Sequence, residues 1–176
     1  MAWASFATAA APPDKDLPGW TQTTGPIGGT VVRMIPHAGT VWASLYSGGI
    51  YELQRDNSWK QIAIGYGIPE NRAFDIAPDP SNANIVYAPE MIACLAKTVN
   101  KGVSWQGLCD EVIRDIEAPN FNSHTLAFDP ADSKILYLPG HTHDQTSMLL
   151  VSADGGENWE KRFIFDKHYD FNHLFF

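Results

Sequence analysis

Short segments of alternating apolar and polar residues recur along the chain, each bounded by polar turns. Two of them align without a gap: Ile76–Pro89 (IAPDPSNANIVYAP) and Leu126–Pro139 (LAFDPADSKILYLP). Each contains an Asp-Pro turn, because proline presets φ and aspartate can cap the following amides. The flanking Ile-Val-Tyr and Ile-Leu-Tyr residues favour strands, so both segments are predicted to be β-hairpins. A looser copy, Val31–Leu45, has His-Ala-Gly in place of Asp-Pro.

Each of these hairpins is followed by a second one that carries a tryptophan at a fixed position. The second hairpins are Gly48–Ile62, Ile92–Leu108 and Ser147–Phe163, and their tryptophans are Trp59, Trp105 and Trp159. Four short strands per repeat are typical of a β-propeller, whereas a β-sandwich would leave the recurring tryptophan unexplained. We therefore predict an all-β protein built from blades of four antiparallel strands. The expected blades cover residues 24–62, 72–108 and 123–163, with a partial next blade at 164–176, in one propeller segment over 19–176.

The turn before the last tryptophan matches a known repeat motif. The residues Ser152, Asp154, Gly156 and Trp159 fit the pattern S-x-D-x-G-x-x-W, and Thr98, Asn100, Gly102 and Trp105 fit it with conservative changes. This pattern resembles the Asp-box of sialidase-like (BNR-repeat) propellers, a superfamily that includes sialidases, xyloglucanases and sortilin-type receptors. In the first copy only Trp59 is retained, with Glu52, Gln54 and Asp56 at the other positions when the copies are compared without gaps.

We interpret these turns as structural, because they offer too few oxygen ligands for Ca²⁺ and no metal or cofactor is expected. Successive turns of an antiparallel blade alternate between its two ends, so the Asp-Pro and Asp-box turns should share one face. A ligand is then expected on the opposite face, which comprises residues 63–72, 89–92, 109–124 and 139–147. The ligand-binding candidates there are Tyr66, Glu70, Arg72, Arg114, Asp115, His141, His143 and Asp144.

No catalytic residue is assigned. Sialidase-like catalysis would require an Arg-Ile-Pro motif, and Arg33-Met-Ile-Pro is one residue too long. The segment with Gly48, Gly49 and Tyr51 resembles the xyloglucanase sequence VGGAYRW, but Tyr46 stands where the catalytic aspartate of that family would lie. Acidic pairs in the loops, such as Glu70 with Asp144, remain an alternative, since glycoside hydrolysis uses two carboxyl groups. His141, His143 and Asp144 could bind a metal, although a His-x-His pair in a long loop is more often simply exposed.

Composition and charge narrow the class of partner. The chain has 176 residues and a formal net charge of -8, with no cluster of basic residues, which argues against a nucleic-acid partner. No apolar run is long enough to span a membrane. Residues 1–18 are read as a leader, with equal support for a signal-peptide remnant and for a disordered segment.

The two cysteines suggest a compartment. A regular hairpin register would place Cys94 opposite Cys109, which would allow a disulfide and would indicate a secreted or extracytoplasmic protein. Two buried free thiols are the alternative.

Three blades do not close a propeller ring. The remaining blades are expected from the same longer chain or from a homo-oligomer. The predicted function is a non-enzymatic binding module for a protein or glycan, acting through the face opposite the Asp-boxes. The alternative is a fragment of a glycoside hydrolase, sialidase-like or xyloglucanase-like, whose catalytic residues lie largely outside this chain.

Overall fold

The computed structural model describes most of the propeller segment. The residues that it describes are 25–26, 29–62, 73–90, 94–108, 112, 114–115, 121–144, 146–165, 167, 169 and 171, with the side chains of residues 90 and 94 excepted. The predicted leader at 1–18 lies outside these residues.

The described strands form three antiparallel sheets of four strands, each in sequence order. Blade 1 contains β1 (Val31–His37), β2 (Thr40–Leu45), β3 (Gly49–Leu53) and β4 (Trp59–Ile62). Blade 2 contains β5 (Ala77–Pro78), β6 (Val86–Glu90), β7 (Cys94–Thr98) and β8 (Gln106–Gly107). Blade 3 contains β9 (Ala127–Phe128), β10 (Leu136–His141), β11 (Ser147–Ser152) and β12 (Glu160–Ile164). The predicted all-β fold with four-stranded antiparallel blades is confirmed.

The hydrophobic core lies between the blades, because successive residues of a strand point to opposite faces of its sheet. Val86 and Ala88 of β6 pack with Trp42, Ile50 and Ile62 of blade 1. The intervening residue Tyr87 packs instead with Leu136 and Leu138 of blade 3, as does Leu95 of the neighbouring strand. Blade 2 therefore buries one face against blade 1 and the other against blade 3.

The strand register corrects the gap-free comparison of the Asp-box copies. Thr98 pairs with Val86 in blade 2, and the equivalent pairing in blade 1 places Leu53, rather than Glu52, at the first position of the motif. The blade 1 turn before Trp59 is thus one residue shorter than the turn before Trp105. Its Asp56 carboxylate accepts hydrogen bonds from the backbone and hydroxyl of Ser58, at 3.0 and 2.6 Å.

The pairing of β7 with β8 is relevant to the predicted disulfide between Cys94 and Cys109. Lys97 pairs with Gln106 and Ala96 with Gly107, and the Leu108 amide donates to the Leu95 carbonyl at 2.9 Å. This is the regular pairing on which the Cys94–Cys109 prediction depends. Cys109 and the side chain of Cys94 lie outside the described residues, so the disulfide stays a prediction.

Candidate functional site

The Asp-box turn of blade 3 is closed by its own side chains. The Ser152 hydroxyl accepts the amide of Gly156 at 2.8 Å, and the Asp154 carboxylate accepts the amides of Glu157 and Asn158, both at 3.0 Å. The Trp159 indole donates to the carbonyl of Gly156 at 3.1 Å. Side-chain oxygens thus satisfy the turn amides, and the buried tryptophan covers the turn.

The turn of blade 2 repeats this arrangement with neutral groups. The Thr98 hydroxyl accepts the amide of Gly102 at 2.9 Å, and the Asn100 side-chain oxygen accepts the amide of Ser104 at 2.9 Å. Trp105 is half-buried and packs against the core between blades 1 and 2.

Both Asp-box turns contact the Asp-Pro turn of their own blade. The Gly155 amide donates to the Lys134 carbonyl at 2.9 Å, and the Lys101 amide donates to the Asn84 carbonyl at 3.0 Å. Because Lys134 and Asn84 lie in the turns that follow the Asp-Pro pairs, the two kinds of turn share one end of the blades. The loops between β2 and β3, β6 and β7, and β10 and β11 lie at the other end.

Replacing Asp154 with alanine is expected to lower the free energy of unfolding by about 1–2 kcal/mol, because two turn amides lose a charged acceptor. Burial alone would raise the pKa of Asp154, but hydrogen bonds from Asn158, Ser152 and the Glu157 amide outweigh it and lower the pKa to about 2. A lowered carboxyl pKa stabilises the fold above the unfolded value of about 4, and this contribution is lost as the pH falls through 2. Urea denaturation at pH 7 and pH 2 would measure both effects. The exposed neighbour Glu157→Ala is the control, and an equal loss in the control would contradict the structural role.

The opposite end of the blades carries a row of aromatic rings. Tyr46 contacts Phe74 edge to face, with ring centroids 5.3 Å apart, and Phe74 stacks on His124 at 4.3 Å with an interplanar angle of 21°. His124 contacts His141 edge to face at 6.0 Å. Tyr46 follows β2, Phe74 precedes β5, His124 precedes β9 and His141 ends β10, so the row crosses all three blades. We call these four residues the aromatic row.

A buried polar cluster connects the first strands of the blades beside this row. The side chain of Asp75 is 2% exposed and lies 3.0 Å from the Arg33 guanidinium, while the Thr125 hydroxyl donates to it at 2.9 Å. Arg33, Asp75 and Thr125 occupy equivalent positions in the three blades. Two residues after each of them lies a residue that pairs with an aromatic residue of the second strand. These pairs are Ile35 with Trp42, Ala77 with Tyr87 and Ala127 with Tyr137. Burial raises the pKa of Asp75, and Arg33 and Thr125 oppose that rise.

The predicted candidates divide into four groups in the structure, and the fourth consists of Arg114 and Asp115. Tyr66, Glu70 and Arg72 lie outside the described residues. His141 belongs to the aromatic row. The next loop residues, His143 and Asp144, are exposed, and the Asp144 carboxylate accepts hydrogen bonds from Thr142 and Thr146 within its own loop.

Arg114 and Asp115 are not where the sequence placed them. The Asp115 carboxylate accepts the backbone amide of Trp159 at 2.9 Å and the Arg114 guanidinium at 2.7 Å. Since Trp159 closes the Asp-box turn, Asp115 lies at the Asp-box end of blade 3 rather than at the opposite face. The physical reason is that the Asp115 carboxylate caps a backbone amide at the end of the Asp-box turn.

The sequence analysis did not propose Tyr46, Phe74 and Asp75 as site residues. The signal for Phe74 and Asp75 was available, because they align with His124 and Thr125 immediately before the two hairpins that match without a gap. Tyr46 was noticed only as a replacement for an expected catalytic aspartate.

Within the described residues, no three His, Cys, Asp or Glu side chains come close enough together to hold a metal ion. The same part of the chain contains no helix long and apolar enough to cross a membrane. Asp75 is buried and directly follows Phe74 of the aromatic row in sequence. Its contacts with Arg33 and Thr125 indicate a structural role that connects the blades.

The fold is that of consecutive propeller blades, and one solved structure supports it. The chain is similar to the crystal structure of an ancestral GH74 enzyme, with a TM-score of 0.63 and 21% identity over 80% of this chain and 19% of that one. The GH74 xyloglucanase from Xanthomonas campestris matches at 13% identity over 72% of this chain and 28% of that one, with a TM-score of 0.36 that indicates no shared fold by itself. The chain thus spans about a fifth of the ancestral enzyme. Comparison with protein families and with curated proteins gives no match.

Proposed function

We propose that this chain forms part of a glycan-binding face of a glycoside-hydrolase-like propeller, and that its aromatic row binds a neutral polysaccharide. The observation that carries the proposal is the row itself, in which Tyr46, Phe74, His124 and His141 follow one another across three blades. Aromatic rings offer a flat apolar surface with polar edges, which suits the apolar faces of sugar rings. Tyr46 at one end of the row is 40% exposed.

The charge of the chain supports a neutral glycan over an acidic one. The formal net charge is -8, and a polyanion would be repelled by this excess of carboxylates. The likeness to an ancestral GH74 enzyme supports a carbohydrate-related propeller, since that protein shares the blade arrangement.

Binding is favoured over catalysis for the described residues. Tyr46 replaces the aspartate that xyloglucanase-like sequences would have at this position. Asp75, which follows Phe74 of the row directly, is 1% exposed and paired with Arg33, so its carboxyl group is held away from a ligand. The chain is therefore proposed to hold a polysaccharide without cleaving it.

Affinity electrophoresis in gels that contain xyloglucan tests this function. We expect Tyr46→Ala to weaken retention about tenfold, because the loss of one aromatic contact of roughly 1.4 kcal/mol corresponds to that factor. Val103→Ala is the matched control, since Val103 is 84% exposed in the Asp-box turn at the other end of blade 2. Equal weakening by both variants, or wild-type protein without retention on any neutral glucan, would overturn the proposal.

The second candidate is glycoside hydrolysis by a larger propeller. It is favoured by the similarity to an ancestral GH74 enzyme, which is more than five times as long as the matched part of this chain. Release of reducing ends from xyloglucan by this chain alone would favour that candidate over pure binding.

A further inference from the structure

The Asp-box glycines form a repeated contact between blades. A Cβ atom on Gly102 would lie 2.3 Å from Cγ2 of Ile62, the last residue of blade 1. A Cβ atom on Gly156 would lie 3.1 Å from Cδ1 of Leu108, which directly follows β8 of blade 2. Each Asp-box turn thus packs its glycine against the end of the preceding blade, where a Cβ atom would collide with Ile62 or crowd Leu108, and both glycines have a positive φ that disfavours larger residues.

Polar contacts strengthen this interface between blades 2 and 3. The Tyr87 hydroxyl and the Lys97 ammonium group both donate to the Gly155 carbonyl, at 2.7 and 2.9 Å. Tyr87 and Lys97 are cross-strand partners on β6 and β7. In blade 1, Trp42 occupies the position that is equivalent to Tyr87. The Trp42 ring lies 3.5 Å from a Cβ atom placed on Gly102.

The strand register identifies the same position in blade 3. Ile62 pairs with Ile50 and Leu108 bonds to Leu95, while Phe163 pairs with Leu149 beside a register shift between Leu149 and Leu150. Each of these pairs forms a set of three with one aromatic residue of the second strand. That residue is Trp42 in blade 1, Tyr87 in blade 2 and Tyr137 in blade 3. We call Tyr137, Leu149 and Phe163 the open socket.

The three sets differ in how deeply they are buried. All residues of the first two sets are buried, with exposures between 0% and 6%. Phe163 is 57% exposed, and Tyr137 and Leu149 are half-buried. The Tyr137 hydroxyl donates to Asp129 of its own blade at 3.0 Å, whereas the Tyr87 hydroxyl reaches the next blade.

We propose that the open socket binds the Asp-box turn of a further propeller blade, with a glycine seated against Phe163. This contact would repeat an interface that the chain already forms twice, at Ile62 and at Leu108. The required partner is therefore a turn with glycine three residues before its tryptophan, as in Gly102 and Gly156.

Blade 1 of a second copy does not fit this socket. Its turn is one residue shorter, and Asn57 occupies the position of Gly102 when Leu53 is aligned with Thr98. Asn57 is the residue of that turn with positive φ, at 63°, whereas the other two turns have two such residues in succession. A side chain at this position would meet Phe163, just as a Cβ atom on Gly102 would meet Ile62.

The test compares the chain with an extended form that carries residues 120–165 again after Phe176. This extension supplies one more Asp-box blade, and it reproduces the spacing between β8 and β9. We expect Phe163→Ala to lower the Tm of the extended chain by roughly 6 °C or more, since a buried phenylalanine becomes a cavity. The same substitution should leave the Tm of the natural chain unchanged within about 1 °C. Ile164→Ala is the control, because Ile164 is 62% exposed and points to the other face of β12.

A second comparison needs only the natural chain. We expect Phe163→Lys to leave it folded with an unchanged Tm, and the equivalent Leu108→Lys to unfold it. A large loss of Tm in Phe163→Lys would overturn the open socket, because Phe163 would already be covered. No effect of Phe163→Ala in a folded extended chain would also overturn it. A natural dimer that dissociates on Phe163→Lys would identify a second copy as the partner and would contradict the proposed occupant.

Discussion

Replacing Arg33 with alanine is expected to lower the free energy of unfolding by about 3 kcal/mol at pH 7. Asp75 would keep its buried position but lose the guanidinium that lies 3.0 Å from its carboxylate. Removal of Arg33 leaves the charge of a buried carboxylate uncompensated, and the hydrogen bonds from the Thr125 hydroxyl and the Ile76 amide do not replace an opposite charge. Blade 1 would lose its ion pair with Asp75 of blade 2.

The loss caused by Arg33→Ala should shrink as the pH is lowered from 7 towards 4. Burial already raises the pKa of Asp75 in the wild-type protein, and removal of Arg33 removes a group that opposes this rise. A carboxyl group whose folded pKa is raised favours the folded state when protonated, so stability is regained as the pH falls through the folded pKa. Urea denaturation across this pH range measures the effect. Arg162→Ala, which breaks an exposed pair of 3.9 Å with Glu160, should cost less than about 0.5 kcal/mol. A loss for Arg33→Ala that is independent of pH would contradict this role of Asp75.

Replacing Gly140 with alanine is expected to cost about 3 kcal/mol and to weaken glycan binding. A Cβ atom there would lie 2.2 Å from the backbone oxygen of Asn122 and 2.5 Å from the ring of Phe121. Neither can move cheaply, because Phe121 is buried and the backbone groups of Asn122 and His141 bond to each other at 2.8 and 3.0 Å. Overpacking at such a site separates these segments and displaces His141 from the aromatic row.

Thermal unfolding and xyloglucan retention of Gly140→Ala measure both consequences. The control is Gly39→Ala, because Gly39 has a φ of 81° but open space around a Cβ. That variant should cost only about 1 kcal/mol from backbone strain and should keep its affinity for the glycan. Equal stability losses in the two variants would show that steric contact at Gly140 is unimportant.

The repeat could be predicted from sequence where local chemistry determines it. Asp-Pro turns, β-branched strands and the tryptophan register are properties of neighbouring residues, and they indicated the three four-stranded sheets. The blade 1 turn was misaligned by one position because gap-free comparison from Trp59 cannot detect a turn that is one residue shorter.

Contacts between blades were beyond the sequence patterns. Arg33 and Asp75 are far apart in the chain, and an irregular pairing between Val31 and Arg33 alters the simple alternation of β1. The capping of Trp159 by Asp115 is also a long-range contact, so its loop could not be assigned to an end of the blades from periodicity. The aromatic row combines residues of four separate loops, each ordinary when considered alone.

Hydrogen exchange measured with and without a xyloglucan oligosaccharide tests the proposed binding face most directly. We expect slower exchange in residues 46–48, 73–75, 121–124 and 141–144, which surround the aromatic row. Residues 54–58, 99–104 and 153–158, at the Asp-box end of the blades, should exchange at unchanged rates. Protection confined to the Asp-box turns would contradict the proposed face.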